Sequence, residues 1–269
     1  MIKPKKIILL FLCLFILEVN LRCETPSTGK IKITTTTSLL GLIVKEIGKE
    51  RIDIVTIVPA GMCPGHFDIK PGSVKSLTDS RVFLNHGWEK WVSKLLDAAE
   101  NKPALHTVDA KGNLMVPETN KRAAENIAAL LCSLDQDHKA YYTQNLALYK
   151  TVIDSIGKLI KEEARSIQDT KVVSSELQVE FLKWVGLDVV MTYGRAEDLT
   201  PKKLSQLINK AKKEGVKLVI DNLQSGPDTG MNIAEEIGAK QINLTNFPLK
   251  GSYPDALVEN FKTIIQALQ

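Results

Sequence analysis

The stretch Leu146-Ala147-Leu148-Tyr149-Lys150-Thr151-Val152-Ile153-Asp154-Ser155-Ile156-Gly157-Lys158-Leu159-Ile160 carries apolar residues at helical spacing straight across its single glycine. From about Thr119 to Ile167 there is no strand signal, no proline and no glycine other than Gly157. The pattern predicts a continuous helix of about thirty residues, roughly 45 Å long at 1.5 Å per residue. Most helices of globular domains run only about 8–20 residues. A helix of this length is better suited to joining two bodies than to filling one.

On both sides of that stretch the pattern changes to strands alternating with helices. Before it, Ile31–Thr35 alternates apolar and polar residues, and Ser38 can cap a helix to about Lys49. Ile52–Val58 and Val82–Leu84 read as strands, the latter followed by Trp88, Trp91, Val92, Leu95 and Leu96 at helical spacing. After it come strands at Lys171–Val173, Leu187–Met191, Val216–Ile220 and Gln241–Leu244. They alternate with helices at Leu177–Trp184, Pro201–Lys213, Met231–Ile237 and Tyr253–Leu268. Such alternation indicates an α/β protein of two lobes, each a mostly parallel sheet flanked by helices, joined by one long backbone helix. The expected division is 1–22 signal peptide, 23–30 tether, 31–133 N-terminal lobe, 134–168 linking helix and 169–269 C-terminal lobe.

The first residues set the compartment. Lys3, Lys5 and Lys6 precede an apolar run from Ile7 to Leu17, which has signal-peptide length and falls short of the roughly 20 residues that span a bilayer. Cys23, followed by the polar Glu24-Thr25-Pro26-Ser27-Thr28-Gly29, suits a lipid-modified first residue, although Val19-Asn20-Leu21-Arg22 lacks the small residues expected before one. The folded part is therefore expected outside the cytoplasm. Removing residues 1–22 takes away Lys3, Lys5, Lys6, Arg22 and Glu18, and the formal charge falls from +4 to +1. No basic patch remains to argue for nucleic acid. Only Cys63 and Cys132 lie beyond the tether, too few for a disulfide framework, and Cys132 reads as a buried thiol in an apolar run.

Open α/β sheets bind ligands at the carboxyl ends of their strands, so the informative residues lie just after each strand. In Met62-Cys63-Pro64-Gly65-His66-Phe67-Asp68 a thiol and an imidazole stand three residues apart across a Pro-Gly turn that can aim both at one point. Such donors suit zinc, copper, cobalt or nickel. Glu176 follows a strand and opens a helix, where a carboxylate also suits the helix dipole. Asp221 ends the strand at Ile220 and is either a ligand or an Asx turn with Asn222. His86 follows the Val82–Leu84 strand, whereas His106 and His138 read as surface residues. The metal candidates are thus Cys63, His66, Glu176, Asp221 and His86. Cys63 and His66 could also be read as nucleophile and base, but such pairs usually assemble from distant segments, so no enzyme is expected.

Several ordered segments carry a resemblance over nearly the whole mature chain. They include Val58-Pro59-Ala60-Gly61 with Lys70-Pro71-Gly72-Ser73-Val74, and Asn85-His86-Gly87-Trp88-Glu89-Lys90-Trp91. Ala124-Glu125-Asn126-Ile127 with Tyr142, Asn145 and Tyr149, Glu197 to Lys202, Val216 to Gln224 and Tyr253 to Asn260 follow in order. Together they resemble the metal-binding solute-binding proteins of ABC importers, the zinc and manganese class built around a rigid backbone helix. The resemblance implies a monomer that captures a transition-metal ion, zinc by default, between its lobes and docks on a permease and its ATPase. It implies no organic cofactor. Laid on the family pattern without gaps, the four ligand columns fall on Gly65, near Gly112 or Asn113, on Ser175 and on Gly251. His66 and Glu176 stand one place beyond two of them, so a rearranged metal site is one expectation. The same fold holding a metal chelate or a small non-metal solute is the other.

Overall fold

A computed structural model describes residues 29–248 and 250–269. The expected signal segment and Cys23 lie outside the described residues. Strands β1 (Ile31–Thr35), β2 (Ile52–Thr56), β3 (Val82–Asn85) and β4 (Ala104–Thr107) form one sheet, and β5 (Lys171–Ser175), β6 (Asp188–Tyr193), β7 (Leu218–Asn222) and β8 (Lys240–Leu244) another. The orders are β2-β1-β3-β4 and β6-β5-β7-β8, so the two lobes repeat one topology. All pairings are parallel, with Ile33 opposite both Ile54 and Val82, and Val172 opposite both Val189 and Leu218. In each sheet the order reverses at its first strand, which leaves a crevice at the carboxyl ends.

The helices follow from where apolar residues must be covered. In α1 (Ser38–Gly48), Leu39, Leu40, Ile43, Val44 and Ile47 are fully buried, one stripe at helical spacing. Burying each such side chain contributes about 1.5–3 kcal/mol. Its cap is Thr37, whose hydroxyl accepts from Leu40 N at 3.4 Å, one residue earlier than the Ser38 expected from sequence. Ser38 is already in the first turn because β1 runs directly into the helix through Thr36. Two further elements, α2 (Pro71–Thr78) and α3 (Val92–Ala98), complete the first lobe's helices before the connection. The connection itself is α4 (Pro117–Leu134) followed by α5 (Lys139–Glu163).

The long helix is present as expected, with 25 α-helical residues in α5 and a tighter turn at each end, Gln136–His138 and Ala164–Ile167. Tyr142, Tyr149, Ile153 and Ile160 form its buried stripe, while Leu148, Val152 and Leu159 face solvent. Helices α6 (Val179–Val185), α7 (Pro201–Glu214) and α8 (Met231–Ile237) cover the second sheet. The final α9 (Tyr253–Leu268) packs on β8, on α5 and on α1 of the first lobe. One apolar cluster accordingly runs from Ile33 through Tyr149 and Ile153 to Leu218 and Ile264, joining both sheets through α5.

Two elements differ from the sequence reading. Strand β4 was not expected, since it is an edge strand whose Ala104, Leu105 and Thr107 are exposed and show no apolar run. The Lys70–Val74 segment, to which the sequence reading assigned no helix, opens α2 with Pro71 in its first turn. Cys132 is half-buried rather than enclosed, and Cys63 and Cys132 are both free thiols.

Gly157 lies buried in the middle of α5, and a β-carbon there would meet only Trp184 Cζ2 at 3.7 Å and Pro117 Cγ at 4.0 Å, ordinary van der Waals distances. Glycine in a helix interior is less favourable than alanine by about 0.8–1 kcal/mol. Gly157→Ala is therefore expected to raise unfolding free energy by about 0.5–1 kcal/mol in urea melts, without change in the m-value.

Candidate functional site

Residues at the carboxyl ends of both sheets line one cavity of about 700 Å³. The first lobe contributes Leu39, the Cys63–His66 turn, His86, Trp88 and Lys90. The second contributes Glu176, Glu180, Arg195, Asn222, Ser225 and Phe247, and the Gly112–Leu114 segment ahead of α4 closes one side.

The His86 wall is built from the threonine run that ends β1. Thr36 Oγ1 donates to Glu89 Oε1 at 2.6 Å, and the buried Glu89 carboxylate accepts the His86 backbone N–H at 3.1 Å on each oxygen. Thr37 Oγ1 lies 2.8 Å from His86 Nε2, so the residue that caps α1 also orients the ring. The imidazole stacks on Trp88, with centroids 5.3 Å apart, and meets Phe247 of the second lobe edge-on at 6.1 Å. Burial pushes His86 down to about 4, with the Glu89 charge opposing, so the ring is neutral at neutral pH.

The Cys63–His66 segment is a single 3-10 turn, fixed from below by Trp91 Nε1, which donates to Pro64 O at 2.7 Å. Its two candidate ligands each turn toward the opposite lobe. Cys63 Sγ lies 3.5 Å from Ser225 Oγ, and Arg195 Nη1 is in hydrogen-bond contact with His66 Nε2. A β-carbon on Gly65 would stand 2.9 Å from Arg195 Nη2, so the guanidinium occupies the space before that glycine. The Gly112 side is filled likewise. Gly112 adopts a φ of +108°, a β-carbon there would lie 2.7 Å from Glu180 Oε2, and that oxygen accepts Asn113 N–H at 2.6 Å.

Glu176, exposed at the end of β5, lines this cavity and also a smaller neighbouring one of about 280 Å³, again with Arg195 and Ser225. Four of the five sequence candidates, Cys63, His66, His86 and Glu176, thus share one cavity. Asp221 does not line it. Its carboxylate is buried in the second lobe and accepts Tyr193 Oη–H at 2.6 Å, Gly230 N–H at 3.0 Å and Gln241 Nε2–H at 2.7 Å. Burial pushes its carboxyl up, and the bonds from Tyr193, Gln241 and Gly230 oppose that shift. The side chain ties β7 to β6, β8 and the start of α8. Successive strand residues alternate faces, so the cavity receives the neighbour, Asn222. Among the described residues no three His, Cys, Asp or Glu side chains come together closely enough to hold a metal ion.

The sequence reading missed Arg195, Asn222, Lys90 and Glu180. Arg195 was hidden because β6 runs to Tyr193, beyond the Met191 expected; with the longer strand, Gly194-Arg195 stands at a carboxyl end like the other site residues.

Residues 33–267 match the model of the family described as zinc-uptake complex component A, periplasmic. The chain belongs to this family. It is 25% identical over 240 residues to the metal ABC transporter substrate-binding lipoprotein SsaB of Streptococcus sanguinis, covering 78% of each chain. It is 26% identical over 223 residues to the manganese ABC transporter substrate-binding lipoprotein PsaA of Streptococcus pneumoniae, covering 72% of each. Its fold is that of crystalline ZnuA, with a TM-score of 0.78, 21% identity and coverage of 89% of this chain and all of that one. The manganese-bound periplasmic metal binding protein of Candidatus Liberibacter asiaticus has a TM-score of 0.77 at 18% identity, with 89% and 100% covered. The family is one of extracytoplasmic substrate-binding components of ABC transporters, not of enzymes.

Between pH 6.5 and about 4 an unfolded chain takes up a proton on His86 that the folded chain refuses. Stability is therefore expected to fall as pH drops through that window, by about 1–3 kcal/mol. His86→Gln should flatten this limb of the profile, read as urea midpoints of both proteins at pH 7, 5.5 and 4.5.

Proposed function

We propose that this chain is the solute-capturing subunit of an ABC importer and that its cargo sits in the cavity between the two lobes. The observation that carries this reading is the cavity's position at the carboxyl ends of both sheets, with walls from both lobes. Capture would draw the lobes onto the cargo, and the loaded protein would dock on a membrane permease driven by a cytoplasmic ATPase. A lipid on Cys23 would hold it at the membrane.

The cargo that fits this lining is larger than a bare ion. A volume of about 700 Å³ is of the size that accepts small organic molecules. The Arg195 guanidinium, always charged, rests on His66. A divalent cation bound at that imidazole would stand beside a like charge, which opposes it even though solvent at this exposed contact screens the repulsion. A solute bringing its own metal donors, or no metal, avoids the conflict.

The second reading is a transition-metal ion held directly, and the shared cavity of Cys63, His66, His86 and Glu176 favours it. Thiolate and imidazole donors suit zinc better than manganese, which prefers oxygen-rich shells. Arg195 would then have to swing away on loading.

Elemental analysis of protein purified without chelator, beside the Cys63→Ser/His66→Ala double variant, separates the two. Zinc well below one per chain, equal in both proteins, is expected. Near-stoichiometric metal that disappears in the double variant would replace the first reading by the second. For the importer role, the loaded protein should stimulate ATP hydrolysis by its permease–ATPase in nanodiscs, and no stimulation under any loading would refute it.

A further inference from the structure

We infer that the cleft carries a carboxylate-recognising subsite formed by Arg195 and Asn222, and that its cargo is a small organic solute with a carboxylate beside a cationic centre. This rests on the importer reading above and names the class of cargo.

Asn222 supplies the observation independent of charge. It is 2% exposed, lines the cavity, and its Oδ1 is fully engaged, accepting Gln224 N–H at 3.2 Å and Ser225 N–H at 3.0 Å. Those two bonds fix which way the amide faces. Its Nδ2 is buried and has no acceptor among the described residues. A buried donor without an acceptor is costly, so a water or a ligand oxygen is expected to complete it. The missing partner must be an acceptor, which an oxygen of the cargo provides and a metal ion does not.

Arg195 adds the charge. Its nearest carboxylate is Glu197, at 3.9 Å, and its other partner is His66, so most of its five N–H donors are free among the described residues. The planar guanidinium matches a carboxylate with two parallel bonds. Lys90, exposed on the first-lobe side, makes no salt bridge among the described residues and adds a second positive charge. The half-exposed Trp88, with Phe247, offers an apolar wall for a carbon skeleton.

The same cavity contains two carboxylates, and they shape the rest of the ligand. Glu180 is engaged by Asn113 N–H. Glu176 lies beside the Arg195 loop, its Oε2 3.9 Å from where a β-carbon on Gly194 would be. Next to an anion-binding Arg195, Glu176 suits a cationic centre on the cargo. Two sources have this chemistry: an α-amino acid, whose ammonium is the cation, and a metal chelated by carboxylates.

The test is calorimetry on the mature chain with each of the twenty L-amino acids and citrate, each alone and with equimolar Zn²⁺, and with Zn²⁺ alone. Two variants accompany it: Arg195→Gln, and Asn222→Asp, which can keep the Oδ1 bonds but replaces the Nδ2 donor with an acceptor oxygen and a negative charge that repels a carboxylate. At least one carboxylate is expected to bind the parent, and about tenfold or more weaker to each variant. Binding without zinc identifies an amino-acid-like cargo; binding only with zinc identifies a chelate. Circular dichroism melts check that both variants fold, and a more conservative Arg195→Lys, which keeps the charge and loses the fork, should recover only part of the affinity. The subsite is overturned if no carboxylate binds the parent, or if both folded variants bind like it. If zinc alone loads the parent and Arg195→Gln equally and both stimulate the permease's ATPase, the importer reading stands and the subsite falls.

Discussion

Tyr149, midway along α5, ties together three parts of the chain that sequence separates widely. Its hydroxyl donates to Asn120 Oδ1 of α4 at 2.8 Å, and its ring lies 6.5 Å from that of Tyr253, the first residue of α9. Tyr253 in turn donates to Met115 O at 3.1 Å, just ahead of α4. Burial, with Glu46 nearby, pushes the Tyr149 phenol well up, so the donor stays protonated at any ordinary pH. Both tyrosines are buried, so each hydroxyl needs a partner, and each finds it on the segment that crosses between the lobes. The two lobes are thereby held by one apolar core rather than by a linker.

That anchoring bears on how the cleft can work. The core that joins the lobes runs along α5 and α9 and reaches the cavity wall at Leu39, Leu114 and Phe247. Across the cavity, the lobes meet through fewer and more polar groups: Cys63 with Ser225, His66 with Arg195, and the edge of Phe247 on His86. Contacts of this kind exchange readily with solvent or ligand, whereas breaking the Tyr149 cluster would expose apolar surface and orphan buried hydroxyls. Opening on the cleft side would therefore break fewer apolar contacts than opening through the shared core.

Most of the fold was legible because it is written in periodicity. The stripe from Tyr142 to Ile160, the apolar strands of β3 and β7, and the helix ended by Gly238 all announce themselves locally. The boundaries of α9 and α8 coincide with those read from the pattern, since Ser252 with Asp255 caps the first and Gly238 takes a left-handed φ of 67° after the second. Strand β4 left no such mark, being exposed at an edge and stabilised by pairing with β3 alone. The site was legible only by position. Knowing that ligands sit after strands placed Cys63, His66, His86 and Glu176 in the cavity, but residue type could not tell Asp221 from Asn222. One step along a strand reverses the face, and the more chemically conspicuous residue of the pair turned inward to Tyr193 and Gln241.

Two of the glycines on which the family's ligand columns fall, Gly65 and Gly112, are matched by what lies opposite them. A side chain at Gly65 would collide with Arg195, and one at Gly112 with Glu180. Each vacancy on one wall is thus filled by a charged group from the second lobe, one cationic and one anionic. Losing a ligand histidine by drift would leave space or water in its place. Here the space is taken by a guanidinium whose remaining donors, like the Asn222 amide, have no acceptor among the described residues. The buried Asn222 donor in particular is costly to leave without a partner. At these two positions the lining is therefore set by charged groups of the second lobe rather than by side chains on the ligand columns themselves.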